Sequence, residues 1–282
     1  MIVTNRFNMP DEIYNLIKED QYESSGDISV TGLISPPQIF QLKERHEHDI
    51  ERDARDMFWA FFGTMGHSIM EKREGLREER VGAMTRDWVV TGTPDLVQGH
   101  KIVDYKVTSV WAVVFGLKPE WEQQLNAYAW LQRMHGAEIN KLSVIAIMRD
   151  WQRNNAKQHD YPSSPVVEMV VPVWESDVAA RFVRERVSFH QKAEKLYDHE
   201  LPLCTAAERW ERPTTYAVTK KGRKTALRVL ETYDLATEWI NATGKGDGIE
   251  TRQGRSIRCE DYCDVQPFCH QYDKGIWFCG EN

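Results

Sequence analysis

Residues 91–106, with the sequence TGTPDLVQGHKIVDYK, most constrain the fold of this chain. β-Rich residues flank a Gly-containing turn, and this pattern predicts a hairpin whose first strand reaches back to Trp88. Side chains alternate faces along a strand, so Asp104 and Lys106 are expected on the same side. Asp95 follows a Gly and a Pro that bend the backbone, and the hairpin can bring it beside Asp104. The sequence therefore predicts two carboxylates and an amine converging at one point.

Such a trio has a chemical use. Hard divalent cations such as Mg2+ take oxygen ligands, commonly carboxylates together with water and phosphate. An ion held by Asp95 and Asp104 could polarise a phosphodiester and lower the pKa of a bound water. Lys106 could then orient that water or balance charge in the transition state. The alternative is a surface hairpin in which a lysine pairs with an aspartate, because Asp-x-Lys triplets are common.

Four motifs in order carry a family resemblance. The residues PD at 94–95, followed by DYK at 104–106, resemble the PD-(D/E)XK nuclease signature. Upstream, GTMGHSIME at 63–71 resembles the metal-binding helix of the RecB-like branch, and downstream QLNAY at 124–128 resembles its Gln-x-x-x-Tyr helix. The pattern is similar to that of phage-encoded RecB-like exonucleases and CRISPR-associated RecB-like nucleases.

The resemblance implies a role for each matching residue. It implies that Mg2+ or Mn2+ is held by His67, Asp95, Asp104 and the backbone carbonyl of Tyr105. Lys106 would position the nucleophile. Gln124 would hydrogen-bond a water or a phosphate, and Tyr128 would support the strand that carries Lys106. Glu71, one turn after His67, could orient that imidazole or could form a plain ion pair on the helix surface.

Apolar periodicity indicates a coarse order of elements around these motifs. The predicted helices cover residues 51–75, 119–135 and 175–199. The predicted strands outside the hairpin cover residues 27–34, 141–151 and 165–174, the last two pairing with each other. The expected fold class is α/β (α+β), a PD-(D/E)XK nuclease core with a mixed central sheet flanked by helices. This core, with an N-terminal helical part, is expected over residues 1–200.

The composition favours a folded globular protein over a disordered or membrane-spanning one. Of 282 residues, 41% are hydrophobic and 11% aromatic, which is typical of a folded globular protein rather than a disordered one. No apolar run approaches the roughly 20 residues of a membrane span, and the N-terminal residues lack the apolar stretch of a signal peptide. We therefore expect no membrane association and a cytoplasmic location, in the host cytoplasm if the chain is phage encoded.

Net charge gives little support to nucleic-acid binding. The formal net charge is -7, so a nuclease of this composition needs a local basic surface. The most cationic run is the set Lys220, Lys221, Arg223 and Lys224. An exposed basic turn could contact phosphates. The alternative is an ordinary solvated hairpin turn.

Three cysteines lie close together near the end of the sequence. Cys259, Cys263 and Cys269 fall within eleven residues in a C-x3-C-x5-C pattern, which can bring thiolates to one metal centre. With Cys204 the thiols number four, which is what a structural Zn2+ or an Fe–S cluster requires. Because the chain has no export signal, free thiols or metal ligands are more plausible than disulfides. A small metal-cluster subdomain is therefore expected over residues 201–282.

The identity of the cluster and its fourth ligand are separate questions. RecB-like nucleases of the CRISPR-associated and AddB types close a [4Fe–4S] cluster with one distant cysteine and a C-terminal trio, so the resemblance favours Fe–S over Zn2+. This sequence departs from them, because its first gap is x3 rather than x2 and its distant cysteine follows the core. Cys279 competes with Cys204 as the fourth ligand, but it lies at a chain end, where fraying is expected. His270 is a weaker competitor.

The resemblance implies a Mg2+- or Mn2+-dependent deoxyribonuclease, an exonuclease acting in phage or prophage DNA recombination, repair or degradation. DNA is the implied partner, with recombination or replication proteins and an oligomer as further expectations. Two alternatives stay open. One is an endonuclease, because the motif sets the chemistry and not the need for a DNA end. The other is a DNA-end-binding partner protein in recombination or CRISPR adaptation that does not turn over.

Overall fold

The computed structural model describes residues 1–19, 26–70 and 80–273, apart from the side chains of 67–70 and 273. The chain divides into two compact units, Met1–Leu196 and Tyr197–Asn282. The boundary expected from the sequence lies after residue 200. Each unit has its own sheets and helices.

Helices and strands are intermixed along the first unit. In chain order its elements are β1 (Ile2–Thr4), α1 (Asp11–Glu19), β2 (Ile28–Ser29), α2 (Val30–Ile34), α3 (Pro37–Arg45), β3 (Glu51–Asp53), α4 (Ala54–Met70), β4 (Val81–Thr85), β5 (Trp88–Gly92), β6 (Leu96–Gln98), β7 (Lys101–Thr108), α5 (Trp111–Val114), α6 (Pro119–Met134), β8 (Lys141–Met148), β9 (Val166–Val171) and α7 (Ser176–Glu194). Its sheets are β1-β3, β2-β5-β4 and β6-β7-β8-β9. Helices combined with mixed sheets give the α/β (α+β) class that the sequence predicts.

The sheet β6-β7-β8-β9 positions the candidate site. β6 and β7 form a hairpin in which Leu96 pairs with Val103. β7 and β8 run parallel, which requires a crossover connection, and α5 and α6 supply it. β9 returns antiparallel to β8, so the predicted pairing of these two strands is confirmed. One parallel and two antiparallel pairings make this sheet mixed.

Two strand predictions are wrong in their extent. The sequence predicts one strand over 27–34, but only Ile28 and Ser29 pair with β5. The Ser29 hydroxyl accepts a hydrogen bond from the Gly32 amide at 3.0 Å, and this cap begins α2 instead. The predicted strand before the turn is also divided. Its first part is β5 in the sheet β2-β5-β4, and its second part is β6 in the neighbouring sheet.

The helix predictions are confirmed in their main parts. α4 begins at Ala54 rather than 51, because residues 51–53 form β3 alongside β1, and residues 71–75 lie outside the described part of the chain. α6 is buried on nearly every side in its second half, from Leu125 to Leu131. It packs against α2 and α7 on one side and against the sheets on the other. A helix in such a position loses the strong amphipathic pattern of a surface helix.

His190 on α7 is fully buried and sets a pH dependence for the first unit. Its ring packs edge-on against Phe40, and its Nε2 lies 3.1 Å from the Leu33 carbonyl oxygen. Burial lowers the pKa of His190 to about 4, with Arg186 acting in the same direction and the Leu33 carbonyl opposing them. The imidazole is therefore neutral in the folded protein at neutral pH.

We expect acid to destabilise the first unit through His190. Between pH 6.5 and about 4 the unfolded chain takes up a proton that the folded chain does not, so the free energy of unfolding falls with pH. The expected loss from this group is about 3 kcal/mol. Urea denaturation of wild type and His190→Gln across this range measures it. Parallel pH profiles for the two proteins would contradict the assignment.

The second unit carries a small sheet and the cysteines. In chain order its elements are β10 (Glu211–Arg212), β11 (Thr215–Thr219), β12 (Arg228–Leu230), α8 (Tyr233–Thr243), β13 (Gly248–Arg252), β14 (Arg255–Ser256), α9 (Ile257–Asp261) and α10 (His270–Asp273). Its sheets are β12-β11-β13 and β10-β14. α8 packs against the first of these sheets and ends at Gly244, whose φ of 63° is left-handed.

Within residues 1–19, 26–70 and 80–273, no helix has both the length and the apolar character needed to cross a membrane.

Candidate active site and cysteine cluster

Asp95 lies where the chain passes from one sheet to the next. It follows β5 and immediately precedes β6, so the divided strand places it against β7. The register of the β6-β7 hairpin, carried one step beyond the Leu96–Val103 pair, sets Asp95 opposite Asp104. Asp95 Oδ2 accepts a hydrogen bond of 2.7 Å from the Tyr105 amide. The two aspartates therefore stand on neighbouring chain segments, as the hairpin predicts.

Asp104 and Lys106 form an ion pair along β7. The Lys106 Nζ lies 2.8 Å from Asp104 Oδ2, so the two side chains share one face of the strand. The Asp104 side chain is only 3% exposed, whereas that of Lys106 is 26% exposed. A buried carboxylate is costly without a partner, and removal of one member of a buried pair typically costs about 3–5 kcal/mol. Lys106 therefore offsets part of the cost of burying the Asp104 carboxylate.

Gln124 and Tyr128 lie on α6, which packs across β7 and β8. The Gln124 Nε2 donates to the Tyr128 hydroxyl at 3.2 Å, as their i, i+4 spacing allows. The Tyr128 ring is buried against the end of β5. A Cβ at Gly92 would lie 2.7 Å from Tyr128 Cε1 and 2.9 Å from Val30 Cγ2. Only glycine fits here, because the ring occupies the space of any side chain.

We expect Gly92→Ala to destabilise the first unit by about 1–3 kcal/mol, because the added methyl group overpacks the Tyr128 contact. The displaced ring also shifts Gln124, so any activity of the site falls with it. Urea denaturation measures the free energy of unfolding. Gly63→Ala is the matched control, since a Cβ at Gly63 on α4 meets nothing within 4 Å. Equal stability of the two variants would show that the Tyr128 contact is not tight.

The predicted metal-binding helix lies against the strand that carries Asp104. α4 includes His67 and packs on β7. The side chain of His67 and the whole of Glu71 lie outside the described residues, so their predicted roles stay predictions. The described part of the site therefore comprises two carboxylates, the amine of Lys106 and the pair formed by Gln124 and Tyr128.

In the second unit the four cysteines named from the sequence are neighbours. Cys204 and Cys269 are buried, whereas Cys259 and Cys263 are half-buried, and all four are free thiols. Burial raises the pKa of the Cys204 thiol well above its ordinary value, and the other three thiols raise it further. Burial also raises the pKa of Cys259 to about 11, with Cys263 and Cys269 adding to the rise. The distant cysteine is therefore close enough to the C-terminal trio for the four thiols to influence one another electrostatically.

Gln271 and Arg209 hold the backbone of Cys204, and sequence analysis missed both. The Gln271 Oε1 accepts from the Cys204 amide at 2.9 Å, and its Nε2 donates to the Cys204 carbonyl at 3.1 Å. An Arg209 guanidinium N–H donates to the same carbonyl at 2.6 Å. Both side chains are buried. Gln271 stands two residues after Cys269, so it links the backbone of the distant cysteine to the segment of the trio. No sequence motif predicts a glutamine in this role.

A bound metal would have to deprotonate these thiols and move them closer together. Among the residues that the structure describes, no group of three or more His, Cys, Asp or Glu side chains could hold a metal ion as arranged. The raised pKa values of Cys204, Cys259 and Cys263 mean that these three thiols are protonated at neutral pH. Metal ligation removes those protons and draws the sulfur atoms together. The donor set of four soft thiols fits Zn2+ or an Fe–S cluster, and Cys279 lies outside the described residues.

The basic run is an exposed loop of the second unit. Lys220, Lys221, Arg223 and Lys224 all lie in the connection between β11 and β12 and are exposed. Gly222 turns this loop with a φ of 81°, and the Lys221 amide donates to Asp247 Oδ2 at 2.8 Å. The loop therefore presents four cations to solvent from a hairpin connection. This agrees both with a phosphate-contacting turn and with an ordinary solvated turn.

Comparison with known proteins gives little further information. No family model matches the chain, and no curated protein matches it. One similar solved structure is described as the crystal structure of SSO0001, with 16% sequence identity and a TM-score of 0.44. The similarity covers 65% of this chain and 87% of that one. A similarity this weak carries no argument about fold family or function.

Proposed function

We propose that the chain is a Mg2+- or Mn2+-dependent DNA nuclease of the PD-(D/E)XK type, acting as an exonuclease. One observation carries the proposal. Asp95, Asp104 and Lys106 converge on one end of a β-hairpin, with Asp95 bonded to the Tyr105 amide and Lys106 paired with Asp104. A solvated surface hairpin would not bury Asp104, so the alternative interpretation of the Asp-x-Lys triplet is less favoured.

The oxygen donors of this site suit a hard cation. The residues that would hold it are Asp95, Asp104, the Tyr105 carbonyl and His67. When bound, a divalent cation supplies Lewis acidity to a phosphoryl oxygen and lowers the pKa of water. The chain's own contribution is to fix the two carboxylates on adjacent chain segments, Asp95 by its hydrogen bond from the Tyr105 amide and Asp104 by burial.

Lys106 and Gln124 would act on the substrate directly. The ammonium of Lys106 is partly exposed beside Asp104, so it can orient a water or balance negative charge on the phosphate in the transition state. Gln124 can donate to a water or a phosphate oxygen. Tyr128 acts behind it as a positioning residue, because its buried hydroxyl holds the Gln124 amide.

The cysteine cluster would have a structural role within the second unit. A [4Fe–4S] cluster, or Zn2+ as the alternative, would be held by Cys204, Cys259, Cys263 and Cys269. Gln271 already fixes Cys204 near the trio. The group would join residues that are far apart in sequence and so stabilise the fold of this unit.

The test is cleavage by protein purified without oxygen. Linear and circular DNA, each single- and double-stranded, are incubated with Mn2+ or with EDTA, and the visible spectrum is recorded alongside iron and zinc analysis. We expect degradation of linear DNA in Mn2+, none in EDTA, and a brown protein. Cleavage of circles would make the protein an endonuclease. DNA binding without cleavage in Mn2+ would overturn the nuclease proposal in favour of an end-binding partner.

A further inference from the structure

A pair of exposed aromatic side chains follows the strand that carries Asp104 and Lys106. Trp111 is 56% exposed and Phe115 is 83% exposed. Their rings stack with centroids 5.8 Å apart and planes inclined by 26°. Single exposed apolar residues are ordinary, but two large rings held parallel in solvent are not explained by packing of the core.

A second pair of exposed rings lies at the same end of the sheet. β7 and β8 are parallel, so their ends at Thr108 and Met148 are adjacent. The Arg149 amide donates to the Thr108 carbonyl at 3.0 Å, which fixes Arg149 at this end. Its guanidinium lies 5.1 Å from the ring centroid of Trp59 on α4. Trp59 is exposed and contacts Phe62, which is also exposed.

Asp150 fixes the turn that presents the first pair. Its carboxylate accepts from the Ser109 hydroxyl at 2.8 Å and from the Val110 amide at 2.6 Å. Burial alone would raise the pKa of Asp150, but these hydrogen bonds outweigh it and the pKa is lowered. The turn between β7 and α5 is therefore held by a charged group, and Trp111 is preorganised rather than carried on a loose loop.

We propose that Trp111, Phe115, Trp59 and Phe62, here called the aromatic platform, stack against unpaired bases of a nucleic-acid strand entering the site. Aromatic rings beside cations are the recurring means by which proteins bind single strands, because every base has a face that can stack. Arg149 lies against Trp59 of the platform, and exposed Lys118 follows Phe115 by three residues. The proposal names a partner for the site and so rests on the proposed function.

The position of the platform supports this partner over a protein or a membrane. Trp111 is five residues beyond Lys106 on the same chain segment, so their Cα atoms are at most about 18 Å apart. A strand whose phosphate lies at Lys106 can therefore place a nearby base on Trp111. A purely apolar partner would gain nothing from the guanidinium of Arg149 set over the Trp59 ring.

The test is binding of fluorescent oligonucleotides to the full chain by anisotropy, in EDTA so that no turnover occurs. An oligothymidylate of about 16 nucleotides is compared with an abasic strand of equal length, which has the same phosphates and no bases. We expect wild type to bind the thymidylate at least about tenfold more tightly than the abasic strand. Trp111→Ala and Phe115→Ala should each remove most of this preference and leave abasic binding unchanged.

Three comparisons decide the result. Trp111→Phe should retain most of the preference, because it retains a ring. Phe189→Ala, which removes an exposed ring of α7, should bind both strands as wild type does. If Trp111→Ala and Phe115→Ala bind both strands as wild type does, the platform is not a nucleic-acid site and a protein partner becomes its occupant. If the two alanine variants bind both oligonucleotides more weakly by the same factor, base stacking is excluded.

Failure of the platform and failure of the nuclease proposal give different results. Asp104→Asn should retain the preference for bases, since that residue is assigned to cleavage. A wild type that cuts DNA but shows no preference for the thymidylate over the abasic strand would overturn the platform alone. A wild type with a Trp111-dependent preference and no cleavage in Mn2+ would overturn the nuclease proposal alone.

Discussion

The Asp104→Asn variant is expected to lose cleavage by about a thousandfold or more. The substitution keeps the shape of the side chain but removes the charge that a divalent cation and Lys106 both require. Because Asp104 is buried beside Lys106, an alanine at this position would also open a cavity and leave a lysine without its partner. Asparagine limits that structural damage, so a fall in rate reports on chemistry. Initial rates on linear DNA in Mn2+ measure it.

A matched control is provided by another ion pair of the same sheet. Lys101 pairs with Glu168 across the sheet, with Nζ to Oε1 at 2.5 Å, and both side chains are more exposed than Asp104. Glu168→Gln should therefore cut DNA at the wild-type rate. Thermal melting shows whether each variant is folded. A folded Asp104→Asn protein that cuts as fast as wild type would remove Asp104 from the active site.

The second large effect is expected at Cys204. Cys204→Ser should lose the bound iron or zinc and lower the free energy of unfolding of the second unit by several kcal/mol, because ligation is coupled to folding. The physical reason is that Gln271 and Arg209 hold the backbone of Cys204 beside the segment that carries the C-terminal trio. Metal analysis of anaerobically purified protein measures the loss of metal. Limited proteolysis, scored at sites beyond residue 196, measures the loss of stability of the second unit.

Cys279→Ser tests the competing ligand. If Cys204 is the fourth ligand, Cys279→Ser keeps its metal and its resistance to protease. The reverse pattern, with metal retained in Cys204→Ser and lost in Cys279→Ser, would assign the fourth position to Cys279. If both variants keep their metal, the thiols do not ligate as a set of four.

Local patterns were sufficient to predict the hairpin that carries the aspartates. Alternation along β7 predicts that Asp104 and Lys106 share a face, and their 2.8 Å contact agrees with it. The pairing of β8 with β9 is equally local in origin, since both strands are dense in β-branched residues. These features need no knowledge of distant parts of the chain.

Features that depend on tertiary contacts were not predictable. The strand from Trp88 is divided because β5 pairs with β2 and β4, which lie elsewhere in the sequence. Gly92 reads as a turn residue, whereas its role is to admit the Tyr128 ring. No sequence pattern predicts the role of Gln271, because a hydrogen bond between its side-chain amide and a backbone 67 residues away follows no periodicity.

The ion pair on β7 also bears on how the protein behaves when no divalent cation is present. Lys106 provides an internal positive charge 2.8 Å from Asp104, so the carboxylate is neutralised before any ion arrives. At the proposed site an incoming cation would have to compete with this tethered ammonium, which would weaken its affinity. If the proposal holds, we expect the fold to survive chelation and the same lysine to keep the ion exchangeable rather than permanently held.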